Sequence, residues 1–260
     1  DNSCIYYDTL EITQPPSLFI TLDGSTNAIC FDSCNGEINI TANGGDSSYF
    51  YFWTGPNGFT STSEDISNLC YGEYILTLDD GISSITDTFN IFQPQPFVYN
   101  LIIDSINCYD DFTQAEINIW GGTQPYTYNW STGGNNYFTS LNAGTHSVSV
   151  LDTNGCSMFE SFTINNPDSI ISIATTSNTS CFGGNDGSTN INIISGGTPP
   201  FMFSSNNGLT YQNSNTFSNL SFGNYSIIIS DSNNCLDSIN IQINEPGEIY
   251  STTSSDSLSC

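Results

Sequence analysis

Apolar and polar residues alternate with a period of two in short segments along most of the chain, and Gly, Asn and Pro separate these segments. The alternation is clearest in residues 37–40, 116–119 and 190–193, where isoleucine occupies every second position. This pattern is typical of strands that bury one face, and frequent turn residues are typical of β-sandwiches. No segment has the 3.6-residue period of an amphipathic helix. The pattern therefore predicts an all-β fold.

The same succession of segments occurs three times. Each copy has an alternating strand, a Gly-Gly pair, an aromatic-rich strand, a Leu-x-x-Gly turn and two further strands that end near a proline. The Gly-Gly pairs and closing prolines are residues 44–45, 121–122 and 196–197, and Pro94, Pro167 and Pro246. Internal repetition indicates tandem domains. We predict three domains at residues 17–96, 97–168 and 169–247, between the end of a preceding repeat (1–16) and the start of a following one (248–260).

A Gly-x-Tyr segment leads into the strand after each Leu-x-x-Gly turn, with Tyr74 and Tyr225 in the first and third copies. It resembles the tyrosine corner of immunoglobulin-like sandwiches, so we expect tandem immunoglobulin-like domains in a linear array. His146 occupies the tyrosine position of the middle copy, and we expect it to be a packing residue.

The composition narrows the functions that the chain can perform. It has no Lys or Arg among 260 residues, and its formal net charge is -26. Nucleic acids and anionic lipids are bound mainly through basic residues, so we expect no nucleic-acid partner. No apolar run approaches the roughly 20 residues of a membrane span, so we expect no membrane insertion. Nine cysteines indicate an oxidising compartment. Together with the lack of a signal peptide at the start, this predicts an internal stretch of a longer secreted polypeptide.

A family resemblance follows from the order of the motifs. Residues 181–187, 196–201, 220–225 and 231–235 together resemble the SprB repeat, and residues 121–130 with 152–156 of the middle copy are equally similar to it. The resemblance covers nearly the whole chain. It implies a tandem array in a giant surface adhesin of gliding Bacteroidota, with secretion by the type IX route and propulsion by the gliding machinery. The first copy departs from the pattern, because Ser83 replaces the last cysteine of the repeat and Cys34 and Cys70 are additional.

The cysteines allow more than one pairing. In an immunoglobulin-like sandwich, the loops before the second and sixth strands share one end, so we expect Cys34 to pair with Cys70. The other cysteines could pair within domains, as Cys108–Cys156 and Cys181–Cys235, although such bonds would join opposite ends of a sandwich and exceed the roughly 7 Å limit between Cα atoms. They could instead join neighbouring domains, as Cys30–Cys156 and Cys108–Cys235, with Cys4, Cys181 and Cys260 pairing outside this stretch. We favour the second arrangement, and the first stays open.

A second resemblance concerns modification. Asp-Ser/Thr-Ile/Leu occurs five times and is similar to the O-glycosylation sequon of Bacteroidota. The acceptor residues would be Thr9, Ser105, Ser169, Ser238 and Ser257. Chance occurrence in an Asp- and Ser-rich chain is the alternative explanation.

The chain has no recognisable catalytic set, because its one His has no basic or nucleophilic partner in a known motif. We therefore expect no enzyme and no cofactor. Structural calcium is an open alternative, with residues 79–80, 110–111 and 185–187 as candidate ligands, although Asp and Asn are also common turn residues.

These observations predict a structural shaft segment of a secreted cell-surface adhesin filament that mediates attachment and gliding. Its expected partners are neighbouring repeats, the gliding machinery, and a substratum or polysaccharide ligand. The alternative is an array of carbohydrate-binding modules attached to a secreted hydrolase. For sugar contact we consider Phe59, Tyr137 and Phe138, whereas the repeated Trp53 and Trp130 fit a buried core.

Overall fold

The computed structural model describes residues 8–9 and 14–254, and it confirms tandem immunoglobulin-like sandwiches. Helical structure in these residues is limited to one 3₁₀ turn, Pro56–Gly58. No helix in this part of the chain is long and apolar enough to cross a membrane.

Domain 1 consists of two packed antiparallel sheets. The strands of its first sheet are β1 (Phe19–Thr26), β2 (Gly36–Asn43) and β5 (Ile66–Leu69), in that order. The strands of its second sheet are β4 (Thr60–Ser61), β3 (Phe50–Thr54), β6 (Gly72–Asp79) and β7 (Ser84–Ile91), in that order. The chain therefore crosses from one sheet to the other and back, as in immunoglobulin domains.

Domain 2 repeats this topology without a counterpart of β4. Its first sheet has the order β11 (Phe138–Leu141), β9 (Thr113–Trp120), β8 (Val98–Ile103). Its second sheet has the order β10 (Thr127–Trp130), β12 (Gly144–Leu151), β13 (Ser157–Ile164).

Domain 3 has the same arrangement. Its first sheet has the order β14 (Ile171–Ser177), β15 (Gly187–Ser195), β17 (Thr216–Leu220). Its second sheet has the order β16 (Met202–Ser204), β18 (Gly223–Ser230), β19 (Leu236–Ile243).

Each domain has its own hydrophobic core, built from alternate strand positions. In β2, Ile38 and Ile40 are buried, whereas their neighbours Glu37 and Asn39 face solvent. Trp53 in domain 1 and Trp130 in domain 2 are buried at equivalent places, with 0% and 2% of their surfaces exposed. The core of domain 3 is made mainly of isoleucine and phenylalanine. The period-two pattern thus corresponds directly to the inner faces of the sheets.

Candidate functional site at the domain junctions

The structure joins six of the nine cysteines, and two of the three disulfides connect neighbouring domains. The Cα atoms of Cys30 and Cys156 are 5.6 Å apart, and those of Cys108 and Cys235 are 5.3 Å apart. Both distances are ordinary for disulfides. The third disulfide, Cys34–Cys70, lies within domain 1. These are the pairings that the sequence analysis favours. Among the described residues Cys181 is free and exposed, whereas Cys4 and Cys260 lie outside them.

The first cysteine of each interdomain pair lies in a tight turn before the second strand of its domain. Cys30, Cys108 and Cys181 occupy equivalent turns, in which their carbonyl oxygens accept backbone N–H groups at 3.1, 3.3 and 3.0 Å. A side-chain oxygen just beyond the last strand of the domain accepts a second N–H from each turn. The acceptors are Gln93, Asn166 and Glu245, and the distances are 2.9, 3.0 and 2.8 Å. The turn is therefore attached to the point where the chain leaves the domain.

The second cysteine of each pair lies on the hairpin between the last two strands, and a buried aspartate shapes this hairpin. Asp152 Oδ1 accepts the backbone N–H groups of Asn154 and Cys156, both at 2.9 Å. Its Oδ2 accepts the N–H of Thr123, also at 2.9 Å, from the loop that contains the Gly-Gly pair. Asp231 makes the equivalent contacts in domain 3. Each carboxylate therefore holds the cysteine backbone in place and ties two loops at the upper end of its domain.

Domain 1 has an aspartate at the equivalent position, Asp80, but no cysteine on this hairpin. Asp80 Oδ1 accepts the N–H groups of Ser83 and Ile82 at 2.6 and 2.9 Å, and its Oδ2 accepts the N–H of Asp46 at 3.2 Å. These donors, with Ser83 first, lower the pKa of the Asp80 carboxyl below its ordinary value. The sequence analysis misses this role, because it treats residues 79–80 only as candidate calcium ligands or turn residues. The signal was present, since Asp80, Asp152 and Asp231 all lie eight residues after the glycine that begins the preceding strand.

The Gly-Gly pairs hold the start of each domain. The first glycine of each pair has a positive φ, and a Cβ atom there would lie about 2 Å from a backbone carbonyl oxygen of the incoming linker. In domain 2, a Cβ on Gly121 would be 1.9 Å from the carbonyl oxygen of Pro96, and the N–H of Gly122 donates to Gln95 O at 2.9 Å. Only glycine permits both the conformation and the close approach.

Noncovalent contact across the first junction is limited. Asn154 Nδ2 of domain 2 donates to Ile29 O of domain 1 at 3.4 Å, at the limit of hydrogen bonding. A cleft of about 220 Å³ remains beside the disulfide, lined in part by Phe31, Pro94 and Phe97. The disulfide and the linker are therefore the principal connections between the two domains.

The candidate calcium ligands are engaged in their own turns. Asp79, Asp111 and Asp186 each accept a backbone N–H, from Gly81, Phe112 and Ser180 respectively. Ser180 also lowers the pKa of Asp186. Asp110 accepts the side-chain amide of Asn166 at 3.0 Å. Within the described residues, no three His, Cys, Asp or Glu side chains come together as a metal site. The structure thus supports the turn role of these carboxylates.

The glycosylation candidates differ in accessibility. Thr9, Ser105 and Ser238 are exposed, and Ser169 is partly buried at the start of domain 3. Ser257 lies outside the described residues. Modification of these residues stays a prediction.

The third residue of β6, β12 and β18, the corner position, makes an equivalent hydrogen bond in each of the three domains. The hydroxyl groups of Tyr74 and Tyr225 donate to the carbonyl oxygen four residues earlier, both at 3.0 Å. His146 is buried in domain 2, and its Nε2 lies 2.9 Å from Asn142 O. The imidazole therefore substitutes for the phenol of a tyrosine corner, as well as packing.

The aromatic residues that the sequence analysis discusses differ in their burial. Trp53 and Trp130 are core residues whose indole N–H groups donate to backbone carbonyls at 3.0 and 2.8 Å. Phe59 is partly buried against Tyr74. Tyr137 and Phe138 are exposed in domain 2.

Two regions of the chain match the model of a known protein family. The family model of the SprB repeat matches residues 23–58 in domain 1 and 173–210 in domain 3. Domain 2 lies outside both matches, although its motifs resemble the repeat. No curated protein matches the sequence.

Several solved structures are similar at low identity. The N-terminal eight Ig domains of Down Syndrome Cell Adhesion Molecule match at 11% identity and a TM-score of 0.34, over 84% of this chain and 34% of that one. Titin domains A168-A170 match at 12% identity and a TM-score of 0.27, over 88% of this chain and 100% of that one. Domains 1-6 of the surface layer protein SbsC match at 12% identity and a TM-score of 0.27, over 91% of this chain and 41% of that one.

The SprB matches and the disulfides fit an extracellular repeat protein with a structural, adhesin-like role. The two regions that the family model matches, one in domain 1 and one in domain 3, are similar to the SprB repeat.

Proposed function

We propose that the chain is a shaft segment of a long secreted cell-surface adhesin filament that mediates surface attachment and gliding motility. The observation that carries this proposal is the pair of interdomain disulfides, Cys30–Cys156 and Cys108–Cys235, at equivalent positions of successive domains. A protein that only needs independent binding modules has no use for such bonds.

The disulfides give each junction two covalent connections. One is the linker, which leaves a domain near Gln93 or Asn166, and the other is the disulfide from the turn that these residues hold. Rotation about the linker is then restricted, because the disulfide is a second covalent connection between the same two domains. Tension passes between domains through these covalent bonds.

The charge of the chain supports the same role. A net charge of -26 with no basic residue keeps neighbouring filaments apart and soluble through mutual repulsion. The absence of Lys and Arg also removes every cleavage site for trypsin-like proteases. Glycans on the exposed candidate acceptors would protect linkers and strand edges further. The proposal assigns no catalytic role to the chain.

Attachment and gliding are the part of the proposal that comes from the family resemblance. The proposed partners are neighbouring repeats, the gliding machinery and a substratum. The test uses Fab fragments raised against this chain and intact cells of the organism that makes it. Labelling of the cells, and loss of surface attachment and gliding when Fab is added, support the proposal. Fab labelling without any effect on attachment or movement would contradict it.

The disulfide arrangement is tested separately by peptide mass spectrometry under non-reducing conditions. The chain has no site for trypsin, so proteases specific for acidic or aromatic residues are required. Linked peptides containing Cys30–Cys156 and Cys108–Cys235 are expected. Peptides linking Cys108 to Cys156 would show independent domains and exclude a covalently locked shaft.

A further inference from the structure

The first sheet of domain 2 has an outer face that is largely exposed to solvent. Alternate positions of its three strands point away from the core. We call the following set the domain 2 outer face: Val98, Asn100, Ile102, Glu116, Asn118, Trp120 and Phe138.

The strand register arranges these residues in three rows. Trp120 lies opposite Val98, Asn118 lies opposite Asn100, and Glu116 lies opposite Phe138. Successive rows are separated by two residues of strand β9, so the Trp120 and Phe138 rows are about 14 Å apart. An aromatic ring therefore stands at each end of the face, with amide groups between them.

Exposure distinguishes Trp120 from the other tryptophans. It is 56% exposed, whereas Trp53 and Trp130 are in the cores. Phe138 is also exposed, and the ring of Tyr137 lies 5.0 Å from it in an edge-on arrangement. A tryptophan that the core does not require, beside other exposed apolar side chains, is a feature of interaction surfaces.

The fold itself does not require this face to be aromatic. The residue directly before the Gly-Gly pair, equivalent to Trp120, is Asn43 in domain 1 and Ser195 in domain 3, although the exposed Phe19 lies opposite Asn43. In domain 3, the pairs on this sheet include Ile173 with Asn192. The three domains share a topology, so the tryptophan of domain 2 is an addition to it.

We propose that the domain 2 outer face binds a neutral polysaccharide chain. The flat rings of Trp120 and Phe138 match the apolar faces of sugar rings, and Asn100 and Asn118 offer donors and acceptors to hydroxyl groups. Asn118 Nδ2 already donates to Glu116 Oε1 at 3.1 Å, which orients both groups on the face. A stretch of a few sugar rings covers the distance between the two aromatic rows.

Charge argues against several other occupants. With no Lys or Arg in the chain and a carboxylate at Glu116, the face repels acidic polysaccharides and nucleic acids. A second copy of this chain carries the same charge of -26 and is also repelled. A neutral polysaccharide is not subject to this electrostatic repulsion. This inference goes beyond the shaft function and does not depend on the disulfides.

Affinity electrophoresis of the full chain in native gels tests the proposal. The gels contain galactomannan, xyloglucan or dextran as neutral polymers, or alginate as an acidic one. We expect retardation by at least one neutral polymer and none by alginate. Trp120→Ala should weaken the retardation about tenfold or more, as truncation of an aromatic hot-spot residue does at other interfaces. Trp120→Phe should restore part of it.

Phe159 provides a matched control. It is exposed to a similar extent but lies in β13, in the other sheet of the same domain. Phe159→Ala should leave the retardation unchanged, and unfolding curves of all variants should coincide because both positions are exposed. Retardation by none of the three neutral polymers, equal loss in the two alanine variants, or stronger retardation by alginate would each overturn the proposal. Concentration-dependent dimerisation that Trp120→Ala abolishes would assign the face to a second copy instead.

Discussion

Reduction of the interdomain disulfides should greatly increase the length to which the chain can be stretched. With both bonds intact, the shortest covalent path runs from the N-terminus to Cys30, across to Cys156, back to Cys108, across to Cys235 and on to the C-terminus. This path contains about 102 residues, so its extended length is about 350 Å at about 3.4 Å per residue. The fully reduced chain should extend to about 880 Å. Domains 1 and 3 are therefore largely shielded from load, because the disulfides bypass most of their residues.

Single-molecule force spectroscopy with handles at both ends measures these lengths. Cys4, Cys181 and Cys260 are replaced by serine throughout, so that other pairings cannot form. The oxidised chain should stop extending near 350 Å, and reductant should raise this limit to about 880 Å. Cys30→Ser with Cys108→Ser, which keeps the disulfide within domain 1, should extend to about 760 Å without reductant.

The alternative pairing gives a different length. If Cys108 and Cys156 were joined within domain 2, the oxidised chain would extend to about 600 Å, because most of domains 1 and 3 would then lie on the loaded path. An oxidised limit near 600 Å would refute the locked-shaft reasoning. The proposed adhesive role would then need support from some other mechanical feature.

Three further predictions concern the positions that recur in the repeat. His146→Phe should destabilise domain 2 by about 1 kcal/mol in urea unfolding through loss of the corner hydrogen bond, whereas His146→Tyr should restore it. Gly121→Ala should lower the free energy of unfolding by more than about 2 kcal/mol, because the new Cβ meets the carbonyl oxygen of Pro96. Gly133→Ala, at a positive φ in open space, should lower it by only about 1 kcal/mol. Equal losses in the two variants would contradict the proposed role of the linker contact. The pKa of Asp80 is lowered in the folded state, so its contribution to stability is complete above the unfolded value of about 3.9 and is lost as the pH falls through the lower folded value. The difference between the urea midpoints of the wild type and Asp80→Asn should therefore be constant above about pH 5 and shrink as the pH falls below about 3.9, and a difference that does not shrink would contradict this assignment.

Much of the fold follows from local sequence. The alternation of Ile38 and Ile40 with polar neighbours identifies a strand and the side that it buries, because side chains on a strand alternate between faces. The repeated Gly-Gly pairs identify turns, since residues with positive φ are needed there. The repetition itself predicts the number of cores.

Sequence reasoning does not identify the contacts of several residues in the candidate site. The sequence analysis offers Asp80 as a turn residue or calcium ligand and assigns no role to Asp152 and Asp231, because a sequence does not show which N–H groups converge on a carboxylate. His146 was predicted to pack, but its hydrogen bond to Asn142 depends on the geometry of the corner. The exposure of Trp120 was not predicted either, because a tryptophan near the end of a strand can lie on either side of a sheet.

The sequence by itself determined the strand pattern, the threefold repeat, the absence of positive charge and the equivalent positions of the cysteines. These properties depend on residue type and on spacing along the chain. The tertiary structure alone decided that Cys30 meets Cys156, 126 residues away, and that Cys108 meets Cys235 across the next junction. The sequence favours these pairings but leaves pairing within domains open. The physical reason is that a disulfide requires two Cα atoms within a few ångströms of each other, and only the tertiary structure gives that distance.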